Sequence, residues 1–487
     1  MSAPRATRYP RIAALKTPAA LRAHLRSAAI ELDFDDELAD PASSPLGQPF
    51  EFDGVRVGNR FCILPMEGWD GSDRGEPTDL TCRRWRRFGA SGAKLIWGGE
   101  AVAVRADGRA NPNQLLLDRE TLPSIAKLRD DLISAHRERF GTDADADLYV
   151  GLQLTHSGRF SRPYTGNRPV PLTAGPNPVL DRRFSSDVLR QLTDEEIDQL
   201  VDDFVRAATL AEIAGFQFVD VKHCHGYFAH ELLGARTRPG RYGGTLTNRT
   251  RFLRQVVAGI RSSAPELEIG VRLSVFDTVP YSKNAYGLGA PQTSPSDYHC
   301  GFGLTDVEND EPPVLEDARC VLGMLRDLGV RWICVTAGSP YYNPHVQRPA
   351  LFPPTDGYEP PEDPLRGVAR QILATAQLKR EFGDLMFVGS AYSYLQEWLP
   401  NVAQHNVRHG LTDFVGLGRI ALAYPDLPAD ILSGAPLRRK SICRTFSDCT
   451  SGPRLGLVSG CFPLDPFYAA HPHAARLAEL KEAAQPS

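Results

Sequence analysis

The sequence predicts an α/β protein organised as a (β/α)8 barrel with an N-terminal hairpin, a long loop insertion and a C-terminal extension. Three observations lead there. About eight short runs of β-favouring apolar residues recur between Arg60 and Leu417, and amphipathic helical patterns lie between most of them. Buried strands alternating with helices indicate a parallel sheet covered on both faces, and a count near eight favours a closed barrel over an open sheet. Nearly every strand run also ends in a polar or glycine-rich stretch, and in a barrel the C-terminal ends of the strands carry the ligand site.

Residues 1–47 read as a polar, Ala- and Arg-rich extension, partly helical around Ala19–Ile30. Arg5, Arg8, Arg11 and Lys16 stand there without an apolar core, so no secretory signal is expected; a plain extension is the expectation, with an organelle targeting peptide as the alternative. Residues 48–436 are the expected barrel. Phe50 to Val57 alternates around Asp53-Gly54, a hairpin signal. Strand runs follow at Arg60–Leu64, Lys94–Trp97, Tyr149–Leu154, Phe218–Val221, Ile269–Leu273, Trp332–Val335, Met386–Val388 and Phe414–Leu417. Their exits are Pro65-Met66-Glu67, Gly98-Gly99-Glu100, Thr155-His156, Lys222–Tyr227, Ser274–Asp277, Thr336–Ser339, Gly389-Ser390-Ala391 and Gly418-Arg419. The clearest helix opens at Thr193 with Glu196 as its capping-box partner, buries Ile197, Leu200, Val201 and Phe204, and closes at Gly215. A second begins near Thr247 and carries Phe252, Val256 and Ile260. The segment of about 277–313 is long enough to be a lid or interface element. Residues 437–487 form a tail, basic at first, that holds Cys443, Cys449 and Cys461.

Composition narrows the function classes. The 487 residues are 42% apolar and 23% charged, as in a folded soluble protein. A net charge of -4 argues against a dedicated nucleic-acid binder, and no apolar run approaches the length of a membrane helix. Nine scattered cysteines suit a reducing, cytoplasmic setting better than a disulfide scaffold.

Acid–base capacity concentrates in one place. Val219-Asp220-Val221 runs directly into Lys222-His223-Cys224-His225-Gly226-Tyr227, which offers an amine, two imidazoles, a thiol and a phenol past a strand end. Together with Glu231-Leu232-Leu233 and Arg241-Tyr242-Gly243-Gly244-Thr245-Leu246-Thr247-Asn248-Arg249, this stretch resembles the old yellow enzyme family, FMN-containing ene-reductases on a TIM barrel. Further segments agree in order: Asn59-Arg60 through Pro65-Met66, Gly99-Glu100-Ala101, Gln153 to Arg159, Val271-Arg272-Leu273, Gly416 to Arg419, and Pro425-Asp426-Leu427. The resemblance covers roughly 48–435.

The resemblance implies roles for particular residues. Arg272 faces the flavin N1–O2 edge and Gln153 bonds the same pyrimidine ring, while Pro65, Met66 and Ala101 line the flavin. Gly389 and Ser390 after the seventh strand, with Gly418 and Arg419 after the eighth, fall where barrels hold phosphate. Lys222 and His225 bond the carbonyl oxygen of an α,β-unsaturated substrate, and Tyr227 protonates its α-carbon. NADH or NADPH is the expected hydride donor and a small molecule the substrate. No nucleic-acid or membrane partner is expected, and homo-oligomer formation is open. Gly416 to Ala421 also fits a dinucleotide fingerprint, but no second strand with an acidic ribose partner follows.

Two residues depart from the family pattern. Lys222 replaces a histidine, so it either anchors a carbonyl oxygen or marks a different substrate and reaction. Glu67 stands where Thr or Cys is common near the flavin C4 carbonyl, and either opposes charge on the reduced flavin or turns to pair with a cation. Oxidative dehydrogenation of an amine or ring ketone therefore stays an alternative, with a Schiff-base lysine enzyme or a non-catalytic flavin binder behind it. A branch of the family binds a [4Fe–4S] cluster after the barrel. Cys449 and Cys461 keep its last interval, but Cys443 breaks the spacing and a fourth cysteine is missing, so no iron–sulfur cluster is expected. His223 and Cys224 read as packing residues, since neighbours on a short loop rarely converge on one metal.

Overall fold

A computed structural model describes residues 8–483. Arg5 lies outside them. Eight parallel strands close into a ring: Phe61–Ile63, a second strand in two pieces (Leu95–Ile96 and Ala101–Ala103), Tyr149–Thr155, Phe218–Val221, Glu268–Ser274, Trp332–Thr336, Met386–Gly389 and Phe414–Leu417. Closure is explicit in the register, because Gly416 of the eighth strand pairs with Cys62 of the first, and Leu95 of the second pairs with Tyr149 of the third. All eight strand runs expected from sequence are strands of this (β/α)8 barrel.

One exit reads differently. Gly98-Gly99-Glu100 does not end the second strand. It is a bulge, with Gly98 at φ 157° and Gly99 at φ 57°, after which Ala101–Ala103 resumes pairing with Gln153–Thr155. A side chain at Gly99 would lie 2.3 Å from the Trp85 ring, so only glycine fits this bend. Glu100 is turned away from a ligand role, into a buried cluster in which Arg84 bonds both Asp70 and Glu100.

The interior of the barrel is packed by Cys62, Leu64, Leu95, Trp97, Tyr149, Phe218, Trp332, Cys334, Met386, Val388 and Phe414. The hairpin Phe50–Phe52/Val55–Val57 lays Phe50, Phe52 and Val55 against that interior, with Phe50 edge-on to Phe414 and Phe52 edge-on to Trp332. It therefore plugs the end of the barrel from which the strands start. A larger apolar layer joins the outer strand faces to the helices. The helix Asp194–Ile213 shows the expected reciprocal cap, Thr193 Oγ1 accepting from the Glu196 amide and Glu196 accepting from the Thr193 amide. The helical pattern near Thr247 divides into Leu246–Arg249 and Arg251–Ser263.

The flanking segments are docked. His24 of the helix Pro18–Ser27 pairs with Asp363 at 2.7 Å, and Arg366 bonds the Ala28 carbonyl. In the tail, Arg444 bonds Glu397 at 2.6 Å, Ser447 bonds the Phe352 carbonyl at 2.7 Å, and Asp465 pairs with Arg83 and Arg87. The 277–313 segment carries a small hairpin, Tyr281–Lys283 with Gly289–Pro291. No helix among the described residues is long and apolar enough to cross a membrane.

Candidate active site

The exits of the first, fourth, seventh and eighth strands open onto one cleft whose empty volume, counted out to its mouth, is about 1160 Å³. Of the residues singled out from sequence, Pro65, Met66, Glu67, Gln153, Lys222, His225, Tyr227, Arg272, Ser390, Gly418 and Arg419 all line it. Ala101 and Gly389 do not. Ala101 is buried in the resumed second strand, where its carbonyl accepts from Gln114, and Gly389 lies within the seventh strand. No residue of 277–313 lines the cleft. Asp277 instead braces the loop that does, accepting from Tyr342 at 2.7 Å and Asn343 at 2.6 Å.

The fourth strand sets the inner end of the site through a residue that sequence reading passed over. Asp220 is fully buried and accepts from Gln153 Nε2 at 2.5 Å, Trp97 Nε1 at 2.8 Å and the Arg272 amide at 2.6 Å. Burial pushes its carboxyl up to about 6, against the pull of those donors. With the Gln153 amide nitrogen committed to Asp220, the side-chain oxygen is the group left for a ligand N–H. Arg272 Nε is buried without a partner among the described residues.

At the strand end the backbone turns sharply. His225 has φ 67° and Gly226 φ 77°. A side chain at Gly226 would come within 2.7 Å of Tyr342 and 2.9 Å of Ser339 Oγ, which fixes the glycine. Ser274 Oγ accepts from the His225 amide, and Ser339 Oγ donates to the His225 carbonyl at 2.7 Å. The His225 ring shares a 3.0 Å hydrogen bond with the Gln347 amide. Burial, then the cations Arg272 and Lys222, hold it well below the ordinary histidine range, so it is neutral. His223 and Cys224 are buried and line no part of the cleft.

The two departures from the family pattern meet here. Lys222 Nζ donates to Glu67 Oε1 at 2.5 Å, and Tyr227 donates to Glu67 Oε2 at 2.9 Å. Trp69 Nε1 adds a third donor to the same carboxylate at 3.1 Å. The Lys222 ammonium also sits 3.9 Å from the centre of the Tyr227 ring. Burial, then Glu67 and Tyr341, raise the Tyr227 hydroxyl well above its ordinary value, so it holds its proton.

The phosphate-type exits are also formed. Ala391 is left-handed at φ 73° ahead of the turn Tyr392–Trp398, and Ser393 Oγ accepts from the Ile420 amide. Arg419 Nη2 donates to the Pro349 carbonyl at 2.7 Å, while its Nη1 is buried without a partner among the described residues. An acceptor amide, a buried guanidinium with an unpartnered Nε at the inner end and a second guanidinium with an unpartnered Nη1 at the glycine-rich exits fit a flavin mononucleotide: an imide edge, a ring edge that gains negative charge, and a phosphate.

Sequence reading missed Trp69, Tyr341, Gln347 and Arg348, and all of the tail's contribution: Cys449, Thr450, Pro453, Arg454 and Ser459 line the cleft. Trp69 and Tyr341 stand within two residues of exits already marked. Nothing local signals the tail. The second half of the long motif proves structural, since Tyr242 bonds Gln255 at 2.7 Å and also Asp198, tying two barrel helices together.

Comparison with known proteins shows the family. The model of the NADH:flavin oxidoreductase / NADH oxidase family matches residues 45–287. A putative 12-oxophytodienoate reductase 4 from Oryza sativa subsp. japonica is 33% identical over 298 residues, 58% of this chain and 73% of that protein. The chain belongs to the NADH:flavin oxidoreductase family, the old yellow enzyme relatives. A metal reductase from Desulforamulus reducens is 26% identical over 399 residues, 81% of this chain but 49% of its own length. The old yellow enzyme homologue from Zymomonas mobilis shares the fold, with a TM-score of 0.55, 20% identity and coverage of 80% of this chain and 93% of that one. The chain spans 49% to 64% of the length of several curated family relatives.

Proposed function

We propose that the protein is an FMN-dependent oxidoreductase that uses NADH or NADPH to reduce an activated alkene, such as an α,β-unsaturated carbonyl compound. The observation that carries this reading is the placing of Tyr227. Its hydroxyl, kept protonated, stands in the cleft that also holds the Gln153 and Arg272 groups suited to a flavin pyrimidine. When bound, FMN supplies the centre that accepts and passes on hydride. The chain's own residues do the rest. Gln153, fixed by Asp220, and Arg272 orient the ring and match charge at its edge. His225, being neutral, offers a hydrogen bond to a substrate oxygen without a fixed charge. Tyr227 gives its proton to carbon, and Lys222 over the ring stabilises the phenolate left behind. Glu67 holds Lys222 and Tyr227 in one geometry.

A second reading, oxidation of an amine or ring ketone, is favoured by one feature. Glu67 already accepts the Tyr227 proton bond, so the pair is also arranged to draw a proton from a substrate.

The test begins with mixing the protein with FMN, removing free flavin by desalting and recording the visible flavin bands. Flavin retained at about one per chain, followed by NAD(P)H-dependent loss of a cyclic enone, is the expected outcome. A colourless protein sinks both readings. Anaerobic bleaching of the flavin by amines or saturated ketones, with no enone turnover, would favour the second.

A further inference from the structure

Three guanidiniums gather on one part of the cleft lining, and only one comes from an exit that the flavin phosphate would use. Arg419 follows the eighth strand. Arg348 follows the short helix Pro344–Gln347, and Arg454 ends the tail helix Asp448–Arg454. Arg348 donates to Thr450 Oγ1 at 2.5 Å, and its Nη2 is buried with no partner among the described residues. Arg454 pairs with the exposed Asp356 at 2.7 Å and donates to the Pro340 carbonyl at 3.1 Å. Its guanidinium lies 5.8 Å from the centre of the Tyr341 ring, and the Tyr341 hydroxyl is 2.9 Å from that of Tyr227. The cluster thus reaches from the phosphate exits to the reacting end of the cleft.

Cations outnumber carboxylates on the cleft lining. Lys222, Arg272, Arg348, Arg419 and Arg454 line the cleft, against a single lining carboxylate, Glu67, already engaged by Lys222. Burial, then the neighbouring cations Arg419 and Arg454, hold Arg348 down to about 9. Such crowding is relieved by an anion seated among the three. A flavin phosphate at the Gly418–Arg419 exit supplies one, with a charge of about -2. Arg454, near the Tyr341 ring, and Arg348, bonded to Thr450, stand on segments other than that exit.

We propose that Arg348 and Arg454, steadied by Thr450, form a second anion subsite that receives a phosphate or carboxylate of the molecule reacting beside Tyr227. The proposal deepens the proposed function and rests on it. Two sources share this chemistry: the pyrophosphate of the nicotinamide dinucleotide and the carboxylate of an acidic alkene.

The experiment compares Arg454→Gln and Arg348→Gln with wild-type holoenzyme. NADH is paired with the uncharged donor 1-benzyl-1,4-dihydronicotinamide, and 3-oxocyclohex-1-ene-1-carboxylate with cyclohex-2-enone. The expected result is a loss of about tenfold or more in kcat/KM for the anionic member of one pair, relative to its neutral partner, with FMN affinity preserved. A loss confined to NADH assigns the subsite to the reductant, and one confined to the acid assigns it to the substrate. Equal losses for charged and neutral members, or a matching fall in FMN affinity, overturn the proposal. A second measurement needs no variant. Inorganic pyrophosphate titrated into wild-type holoenzyme should perturb the flavin spectrum saturably, and a flat titration counts against the subsite. That readout holds even when no alkene is turned over, an outcome that defeats the proposed function by itself.

Discussion

Lys222 Nζ and Glu67 Oε1 stand 2.5 Å apart, joining the end of the fourth strand to the exit of the first. The Lys222 side chain is 1% exposed and that of Glu67 17%. Each residue alone is a departure from the family pattern, and together they compensate. A buried ammonium without a partner is costly, and a lone carboxylate beside a reduced flavin would oppose its charge. Paired, they add little net charge and hold Tyr227 by a second arm of the same carboxylate.

Removing one partner should therefore hurt more than removing both. Glu67→Gln leaves Lys222 buried and is expected to lower stability by about 2–4 kcal/mol, somewhat under a fully buried pair because Glu67 meets some solvent. Urea unfolding of Glu67→Gln, Lys222→Met and the double variant gives the coupling. Simple additivity would show that the pair does not act as a unit.

Tyr227→Phe should separate the two half-reactions. Alkene reduction is expected to fall by about 10²–10⁴, while flavin reduction by NAD(P)H keeps its rate, because only the former needs the phenolic proton. Stopped-flow measurement of each half decides. A comparable drop in both would assign Tyr227 to holding the flavin instead.

Asp220→Asn should weaken flavin binding without touching the flavin. The new amide competes with Gln153 as a donor, so Gln153 turns and presents nitrogen where oxygen was needed. A loss of about tenfold in FMN affinity by fluorescence titration is expected. Unchanged affinity would mean that Gln153 is not set by Asp220.

Asp277 gives a pH signature. Burial pushes its carboxyl up to about 6, although Tyr342, Asn343 and the Thr278 amide donate to it. The folded value lies above that of an unfolded aspartate, so the native state binds the extra proton, and this group's contribution to stability falls as pH rises from about 4 through about 6. Asp277→Asn lacks that titration. The stability of wild type minus variant, followed by urea unfolding, should drop by about 2–3 kcal/mol across that window. A flat difference would place the folded value near the unfolded one.

Much of the fold was legible locally. Short buried runs such as Phe218–Val221 and the reciprocal cap at Thr193 and Glu196 are decided within a few residues, so local composition and cap chemistry suffice to read them. The interruption at Gly98–Glu100 was not legible. A strand that pauses and resumes looks, along the chain, like one that ends. Its continuation is fixed by pairing with Gln153–Thr155, far along the chain.

The site divides along the same line. By itself the sequence marked the barrel and its polar exits, which converge once the ring closes, and its resemblance to the family singled out Lys222, His225, Tyr227, Gln153 and Arg272. Only the tertiary structure decided that Glu67 neutralises Lys222, that Asp220 orients Gln153, and that the tail brings Arg454 and Thr450 over the cleft. Those relationships join residues far apart in the chain. Charge pairing and side-chain direction are properties of three-dimensional distance, which no local pattern encodes.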